Sequence, residues 1–374
     1  MKRRILIVCT TDSMIWNFLI PHIKELEQKG FYVECACSIT GDFYKNLVEI
    51  HGIKMNEIPF VRSPYSLKNL DALKKLCKLI KEKKYDTIFC HEPVGGVMGR
   101  VAGRKYRCKV IYMAHGFHFY KGAPVKNWLL YYPVEKFCAH LTDVLITINK
   151  EDHDLAQKKM KAKCVKYVPG VGIDLQKYSQ STIAKAAKRR EFGIPEDAVV
   201  LLSVGELNSN KNHETIIRAI ADMDVYYMIA GDGDLRQHLQ NVIDTLGACD
   251  RVKLLGYRCD VKDLYRAADI FVFPSFREGL SVALMEAMAS GLPCIASKIR
   301  GNVDLIENNK GGFLCDPQND TEFTVKLNTL ASNTELREKM GRHNLITVQK
   351  FSVETAINEM CRIYDAELLG VKTI

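Results

Sequence analysis

Short apolar runs alternate with helix-like segments along almost the whole of this 374-residue chain, and this alternation restricts the possible folds more than any other feature. Amphipathic segments such as 70–80 and 127–138 lie between the runs. The runs that we predict as strands are residues 5–8, 33–38, 87–90, 110–114, 144–148, 199–204, 226–230, 252–255, 270–273 and 294–296. Strands that alternate with helices in this way predict parallel sheets covered by helices on both faces.

The chain length and one break in the alternation indicate two domains. A chain of 374 residues exceeds what a single hydrophobic core usually organises. Residues 168–173 contain a proline and two glycines, which are typical of a linker. We therefore predict an α/β fold with two tandem doubly wound Rossmann-like domains, over residues 1–168 and 176–351, joined by a hinge over residues 169–175.

Charge is distributed unevenly between the two halves of the chain. Residues 1–168 carry a net charge of +13, whereas residues 169–374 carry −4. No nucleic-acid-reading motif accompanies the basic residues, so we expect an anionic membrane surface as partner and no nucleic acid. No apolar run is long enough to cross a bilayer, and the run that follows Lys2, Arg3 and Arg4 is too short for a signal peptide.

Thirteen cysteines raise the question of disulfides or a metal site. No C-x-x-C pair occurs, and Cys35 and Cys37 alternate along a predicted strand. We therefore expect buried, reduced thiols in a cytoplasmic protein and no cysteine-bound metal.

The stretch from residue 269 to residue 293 contains the strongest functional signal. An apolar run is followed by a loop and then by a helix, with Ser281 as the predicted N-cap and Gly291 as a stop signal. Free N–H groups of Gly279, Leu280 and Ser281 would point out of the helix N-terminus, where the macrodipole also favours an anion. The sequence therefore predicts a phosphate site at the start of this helix.

Two carboxylates flank the predicted phosphate site, Glu278 in the loop and Glu286 about two turns into the helix. Charge repulsion keeps both from phosphate, but both can accept hydrogen bonds from sugar hydroxyls on either side of a diphosphate. Two glutamates on a solvated helix face are the alternative, and the surrounding Gly, Ser, Pro and apolar residues favour a sugar-nucleotide site.

This stretch resembles the signature of the retaining glycosyltransferases of family 4, which have the two-domain GT-B fold. The resemblance covers almost the whole chain and implies a cleft between the domains. It implies that Glu286 binds the ribose hydroxyls of the donor and that Glu278 binds hydroxyls of the transferred sugar. It also implies that the last apolar-periodic segment, within residues 352–374, crosses back onto the first domain.

The loop that follows residues 199–204 resembles the phosphate loop of the family, with Gly205 at its start and Lys211 at the place of the phosphate-binding lysine. A solvated surface lysine is the alternative for Lys211. Glu206 stands where the family has an arginine. Either Glu206 points away from the diphosphate, or Arg277 or Arg300 supplies the second positive charge from another loop.

Two further loops match the family after predicted strands. Residues 231–236 lack the third glycine of a dinucleotide fingerprint, so we predict a tight turn near the donor that includes Gly231, and no nicotinamide cofactor. In residues 256–261, the resemblance implies that Arg258 stacks on uracil, and an exposed structural arginine is the alternative. The resemblance also implies a metal-independent enzyme without a cofactor, in which the helix dipole and Lys211 take the role of a cation.

The acceptor side is predicted in the first domain. His115 and His118 lie in an aromatic-rich loop after a strand, and His115 matches the position that the family places against the donor sugar. His91 ends another strand, and the glycines at 95 and 96 would permit close approach of a substrate. Structural roles are the alternative for all three histidines.

Cations and aromatic residues mix in the segment after His118. Lys121, Lys126 and Trp128 suit a membrane interface, and solvated lysines with core-packing aromatics are the alternative. Further residues that could contribute to such an interface are Tyr131, Tyr132, Lys136, Lys74, Lys75, Lys78, Lys81, Lys83 and Lys84.

The resemblance implies a retaining transferase that moves a sugar from a UDP-sugar to a saccharide on polyprenyl diphosphate, in capsule, exopolysaccharide or O-antigen synthesis. Such an enzyme would lie in the cytoplasm, peripheral to the inner face of the cell membrane. Two alternatives remain open at this point. One is a non-catalytic GT-B subunit of a membrane synthase, and the other is a UDP-N-acetylhexosamine 2-epimerase on the same fold.

Overall fold

The computed structural model describes residues 2–41, 43–179 and 184–371. The chain divides into two compact units: unit 1 comprises Met1–Gly172 and Glu354–Ile374, and unit 2 comprises Ile173–Val353. Residues 372–374, the end of the predicted last segment, lie outside the described part of the chain.

Unit 1 is built on seven strands, β1 (Arg4–Thr11), β2 (Tyr32–Ser38), β3 (Met55–Glu57), β4 (Thr87–His91), β5 (Lys109–Ala114), β6 (Val144–Thr147) and β7 (Cys164–Tyr167). They form one parallel sheet in the order β3-β2-β1-β4-β5-β6-β7. Ile7 in the central strand pairs with Cys35 on one side and Phe89 on the other, and all three side chains are buried. The order runs outward from β1 in both directions, which is the doubly wound arrangement.

Helices connect these strands. They are α1 (Asp12–Met14), which continues through a π-helical turn (Ile15–Leu19) into α2 (Ile20–Gln28), and then α3 (Phe43–Glu49), α4 (Lys68–Lys83), α5 (Pro93–Lys105), α6 (Val125–Ala139) and α7 (Lys150–Lys159). Side chains of α4 such as Leu76 and Ile80 are buried against Leu6 and Ile88 of the sheet, because α4 has one apolar face.

Glycines let α5 pack closely on the sheet. A Cβ atom at Gly95 would lie 2.9 Å from the backbone of Cys9, and one at Gly96 would lie 2.4 Å from the ring of Tyr112. The space beside both glycines is therefore filled by the sheet. The prediction that these glycines permit close approach of a substrate is wrong, because they permit the approach of helix to strand.

Unit 2 is built on six strands, β8 (Val200–Val204), β9 (Tyr226–Ala230), β10 (Val252–Gly256), β11 (Ile270–Phe273), β12 (Cys294–Ser297) and β13 (Gly312–Cys315). They form a second parallel sheet in the order β10-β9-β8-β11-β12-β13. Its helices are α8 (Leu175–Ser179), α9 (Lys185–Glu191), α10 (His213–Ala219), α11 (Arg236–Thr245), α12 (Val261–Ala267), α13 (Val282–Ala289), α14 (Asn302–Leu305), α15 (Asp320–Ala331) and α16 (Thr334–Thr347), with a 3-10 turn at Val348–Phe351.

The last helix, α17 (Val353–Tyr364), continues into a π-helical turn (Asp365–Leu369) and belongs to unit 1 from Glu354 onward. It is bound there by specific contacts. His22 Nδ1 lies 3.1 Å from the Tyr364 hydroxyl, and Lys29 pairs with Asp365 at 2.7 Å. Tyr364 is fully buried, so the helix is part of the core of unit 1.

The predicted fold class, two doubly wound α/β domains in tandem, is confirmed. Every predicted run lies within one residue of a strand, but β3, β7 and β13 were not among the predictions. All three lie at or beside a sheet edge. β3 and β7 are only half-buried, so they lack the apolar run by which the inner strands were recognised, and β13 begins with a glycine.

Candidate active site

The site in unit 2 begins at the N-terminus of α13. Ser281 caps the helix as predicted, because its hydroxyl accepts a hydrogen bond of 3.2 Å from the Leu284 N–H. The backbone N–H groups of Gly279, Leu280 and Ser281 make no hydrogen bond with any described residue. Three donors therefore remain available at the positive end of the helix dipole, which is a suitable arrangement for a phosphate.

Lys211 and Glu278 meet beside this helix N-terminus. The Lys211 Nζ lies 2.7 Å from a carboxylate oxygen of Glu278, and 4.7 Å from the centre of the Phe273 ring. A Cβ atom at Gly205 would lie 3.1 Å from the Lys211 side chain, so the glycine provides room for the lysine stem. The ammonium group has three protons, and the Glu278 contact occupies one of them. Lys211 is thus a half-buried cation whose remaining N–H donors are available to a ligand, and not the solvated surface lysine of the alternative.

Backbone contacts hold the Lys211 and Glu278 loops together. The Asn210 side chain donates to the Arg277 carbonyl at 3.0 Å, and the Phe276 N–H donates to the Asn210 carbonyl at 2.8 Å. From the next loop, the Arg300 Nε donates to the Glu278 carbonyl at 3.0 Å. The loops after β8, β11 and β12 therefore form one fixed surface around the start of α13.

The loops after β8, β9 and β10 are also joined, through glycines. The Gly205 N–H donates to the Ala230 carbonyl and the Gly231 N–H to the Gly256 carbonyl, each at 2.9 Å. Gly231 has a φ of +154°, and a Cβ atom there would lie 1.8 Å from the Gly205 carbonyl oxygen. Only glycine fits at this position, so the predicted tight turn exists for close packing of two strand-end loops.

Glu286 is held by two tyrosine hydroxyls that the sequence analysis missed. Tyr178 in α8 donates to one carboxylate oxygen, and Tyr265 in α12 donates to the other at 3.0 Å. Burial raises the pKa of Glu286, and the two hydroxyls act in the opposite direction. Tyr178 lies 108 residues before Glu286, and no local pattern could have indicated the contact. The carboxylate is thus fixed in orientation, with lone pairs still available for a ligand.

Three charged residues near this surface decide how much positive charge is available to a bound diphosphate. Glu206 is exposed, and its carboxylate accepts a hydrogen bond of 2.9 Å from Asn208. Arg277 is half-buried and forms no ion pair with any described residue. Arg258 is bound by both oxygens of Asp260 at 2.6 and 2.7 Å, and by Glu191 at 2.9 Å, which raises its pKa. Arg277 is therefore the more available cation, because the charge of Arg258 is already compensated.

In unit 1, His115 and His91 are in contact. The His91 Nδ1 lies 3.1 Å from the His115 Nε2. Burial lowers the pKa of His115 to about 4 and that of His91 well below its ordinary value, so both rings are neutral near pH 7. The His91 Nε2 is buried and has no partner among the described residues. A proton there would be an unpaired buried donor, so the proton of His91 belongs on Nδ1 and His115 carries its own on Nδ1.

In the segment after His115, Phe119 and Trp128 turn their side chains inward. The Trp128 Nε1 donates to the Tyr120 carbonyl at 3.3 Å, and its ring lies 5.5 Å from that of Phe119. The His118 ring lies 4.7 Å from the Tyr131 ring in the same unit. Trp128 thus packs on the core, as in the alternative considered for the aromatic residues.

The outward face of α6 is apolar and cationic instead. Leu129 and Phe137 are 70% and 64% exposed, and Lys126, Lys136 and, before the helix, Lys121 are exposed as well. The other apolar members of this face are Val125, Leu130 and Val134. In α4, by contrast, Lys74 and Lys83 are paired with Asp71 and Glu34 at 3.0 and 2.9 Å.

The described residues contain neither a metal-binding cluster nor a membrane-spanning helix. No group of three or more His, Cys, Asp or Glu side chains in this part of the chain is arranged to hold a metal ion. Asp232 and Asp234 follow β9, but Asp232 bonds to the Gly233 N–H at 2.9 Å and lies 3.8 Å from Arg236. No helix within residues 2–41, 43–179 and 184–371 has the length and apolarity to cross a membrane.

Similarity to known proteins identifies the family of this chain. The family described as "Glycosyl transferases group 1" matches residues 184–344, and that described as "Glycosyl transferase 4-like" matches residues 4–169. A putative glycosyltransferase of Bacillus subtilis, EpsD, is 36% identical over 376 residues, which span 98% of this chain and 97% of EpsD. The chain belongs to the family 4 glycosyltransferases.

Further relatives of this glycosyltransferase agree with that assignment. An Escherichia coli protein named UDP-Gal:alpha-D-GlcNAc-diphosphoundecaprenol alpha-1,3-galactosyltransferase is 32% identical, over 81% of either chain. Anabaena HepE, solved in complex with UDP and glucose, aligns with a TM-score of 0.83 over 97% of this chain and 100% of HepE. At 22% identity, the likeness to HepE shows the GT-B fold alone.

Proposed function

We propose that this glycosyltransferase moves a hexose from a UDP-sugar to a saccharide on polyprenyl diphosphate, with retention at the anomeric carbon, in cell-surface polysaccharide synthesis. The observation that carries the proposal is the convergence of Lys211, Glu278 and the free N–H groups at the start of α13. The E. coli relative, which is named for a UDP-sugar and a diphosphoundecaprenol acceptor, supports both substrate classes.

In the proposed donor complex, the diphosphate lies at the N-terminus of α13. The N–H groups of Gly279, Leu280 and Ser281 donate to it, and Lys211 donates with the protons that Glu278 leaves free. Glu286, held by Tyr178 and Tyr265, accepts hydrogen bonds from the ribose hydroxyls.

The chemical step exchanges one bond at the anomeric carbon for another on the same face. The bond from carbon to diphosphate oxygen breaks, the bond to the acceptor oxygen forms, and the acceptor hydroxyl proton passes to the departing diphosphate. Negative charge develops on the diphosphate, where Lys211, the α13 N-terminus and, as second cation, Arg277 stabilise it. Neutral His115 serves as a hydrogen-bond partner for substrate hydroxyls, since its low pKa excludes a charged role near pH 7.

We propose a reaction that needs no metal because of the positive groups around the diphosphate. The helix N-terminus and Lys211 already provide the positive electrostatics that a divalent cation supplies elsewhere. Transfer measured with and without EDTA should therefore give equal rates, and a rate restored only by added Mg²⁺ or Mn²⁺ would contradict this part of the proposal.

The transfer assay uses a panel of UDP-hexoses with prenyl-diphosphate-linked monosaccharides, followed by mass spectrometry and by NMR of the new anomeric centre. We expect one UDP-sugar to be used, with an α-linked product from an α-linked donor. Glu278→Gln should slow transfer while UDP still binds. An altered UDP-sugar without any acceptor would instead establish the epimerase, and UDP binding without any turnover would favour a non-catalytic subunit.

The proposed acceptor is a membrane lipid, and the outward face of α6 supports attachment to an anionic bilayer at the inner face of the cell membrane. An interfacial helix combines exposed apolar side chains with lysines, as Leu129, Phe137, Lys126 and Lys136 do here. We expect the protein to float with phosphatidylglycerol vesicles and not with phosphatidylcholine vesicles. The double variant Leu129→Glu, Phe137→Glu should lose this binding, whereas Ile346→Glu, at a site 73% exposed on unit 2, should retain it.

A further inference from the structure

Unit 1 contains a cavity of about 470 Å³ between α5, α6 and the loop at Pro64 and Tyr65. This volume is in the range of roughly 300–1,000 Å³ that is typical of small-molecule sites. The cavity lies where β4 and β5 end, since Pro93 and His115 are in its wall. Its lining is mainly apolar and aromatic, with Val94, Met98, Phe117, Leu130, Tyr131 and Val134 as examples.

Three polar side chains in the cavity wall already have partners. Glu135 binds the buried Arg100 through two hydrogen bonds of 2.8 and 2.9 Å. Glu92 accepts a hydrogen bond of 2.8 Å from the Thr10 N–H, and the His115 Nε2 is occupied by His91. A saccharide needs partners for most of its hydroxyls, and unpaired hydroxyls in such a cavity would be costly. The lining therefore suits a hydrocarbon chain better than a sugar.

The mouth of the cavity is apolar as well. Tyr65, Leu130 and Val134 line it and are 64%, 49% and 44% exposed. Leu130 and Val134 also belong to the outward face of α6, so the apolar surface continues from that face into the cavity. An exposed cation lies near the same wall, because Arg62 precedes Pro64 of the lining by two residues. Its charge opposes the increase in the Glu92 pKa that burial causes. Apolar lining and a nearby cation together match a prenyl diphosphate.

We infer that this cavity binds the isoprenoid segment adjacent to the diphosphate of the lipid-linked acceptor, so that the enzyme recognises the lipid as well as the saccharide. This inference rests on the proposed function. It predicts that a prenyl chain increases affinity for the acceptor even where no membrane is present.

The direct test is calorimetric binding of farnesyl diphosphate and of inorganic diphosphate to the full chain, with UDP present in excess to occupy the donor site. We expect farnesyl diphosphate to bind at least about tenfold more tightly, because it alone fills apolar volume. Val134→Trp and, independently, Leu130→Trp should abolish this preference by filling the mouth. Ile50→Trp, which adds the same bulk at a position 68% exposed elsewhere on unit 1, should preserve it. Equal affinity of the wild type for the two ligands, or an unchanged preference in both filled variants, would overturn the inference.

Transfer to two acceptors separates this inference from the proposed function. The same saccharide diphosphate is offered on a farnesyl chain and on a methyl group. A higher kcat/KM for the farnesyl acceptor that is lost in Val134→Trp supports the lipid site. Equal kcat/KM for both acceptors in the wild type refutes the lipid site and leaves the transferase function intact. Absence of transfer to either acceptor, with the farnesyl preference in binding retained, refutes the proposed function and supports the cavity as a prenyl site.

Discussion

Replacing Lys211 with methionine removes the cation that pairs with the Glu278 carboxylate beside the N-terminus of α13. Methionine keeps the length of the stem and its contact with Phe273, so the loss is one of charge and hydrogen bonds. Hydrogen bonds to charged groups contribute about 1.5–3 kcal/mol, and we expect UDP to bind roughly ten- to hundredfold more weakly. Loss of one donor to a developing anion typically reduces kcat by about 10²–10³-fold, and we expect that loss for transfer.

A double-mutant cycle with Glu278→Gln separates the two roles of Lys211. The Lys211–Glu278 contact of 2.7 Å is largely buried, so the two residues are coupled. If Lys211 acts on the diphosphate, Lys211→Met should remain costly in the Glu278→Gln background. Lys339→Met, which removes an exposed lysine of α16, is the control for net charge. If Lys211→Met changes UDP affinity and kcat by less than about threefold, in the wild-type or in the Glu278→Gln background, the role assigned to Lys211 is refuted.

Three further predictions concern the histidines, Gly231 and the buried ion pair of unit 1. Burial lowers the pKa values of His22 and His115 to about 4, so as the pH falls from about 6.5 to 4 the unfolded chain binds protons before the folded chain does. The free energy of unfolding, measured with denaturant, should therefore decrease over that range. ¹⁵N NMR at pH 6 should find His115 neutral with its proton on Nδ1, and a charged ring would contradict this. Gly231→Ala should lower the melting temperature and weaken UDP binding together, since its Cβ would lie 1.8 Å from the Gly205 carbonyl oxygen, and a normal UDP affinity would show that the two loops are independent. Glu135→Gln should lower the free energy of unfolding by roughly 3–5 kcal/mol, because Arg100 would remain buried without a counterion, and a change below about 1 kcal/mol would count against that ion pair.

The sequence predicted those features that depend on neighbouring residues. The inner strands are continuous apolar runs, and the Ser281 cap is a local hydrogen bond to Leu284. The placement of Lys211 after β8 and of Glu278 after β11 follows from strand–loop–helix order alone. Such features could be predicted because each is determined within one turn or one strand.

Contacts between distant segments could not be predicted in this way. Tyr178 and Glu286 are 108 residues apart, and Lys211 and Glu278 are 67 apart, so only the folded unit brings each pair together. The buried face of α6 could not be predicted either, because apolar side chains such as Leu129 and Trp128 occur all around the helix. Periodicity identifies a buried face only when the opposite face is polar.

Unit 2 should bind UDP selectively, and calorimetry with UDP, GDP and ADP measures this selectivity. The wild type should bind UDP and not the two purine nucleotides. In Glu286→Gln, UDP affinity should fall about tenfold or more, since the carboxylate that accepts from the ribose is replaced by an amide, which keeps an acceptor oxygen for only one of the two tyrosine hydroxyls. Equal affinity for all three nucleotides, or a UDP affinity that Glu286→Gln leaves unchanged, would contradict the proposed donor site at α13.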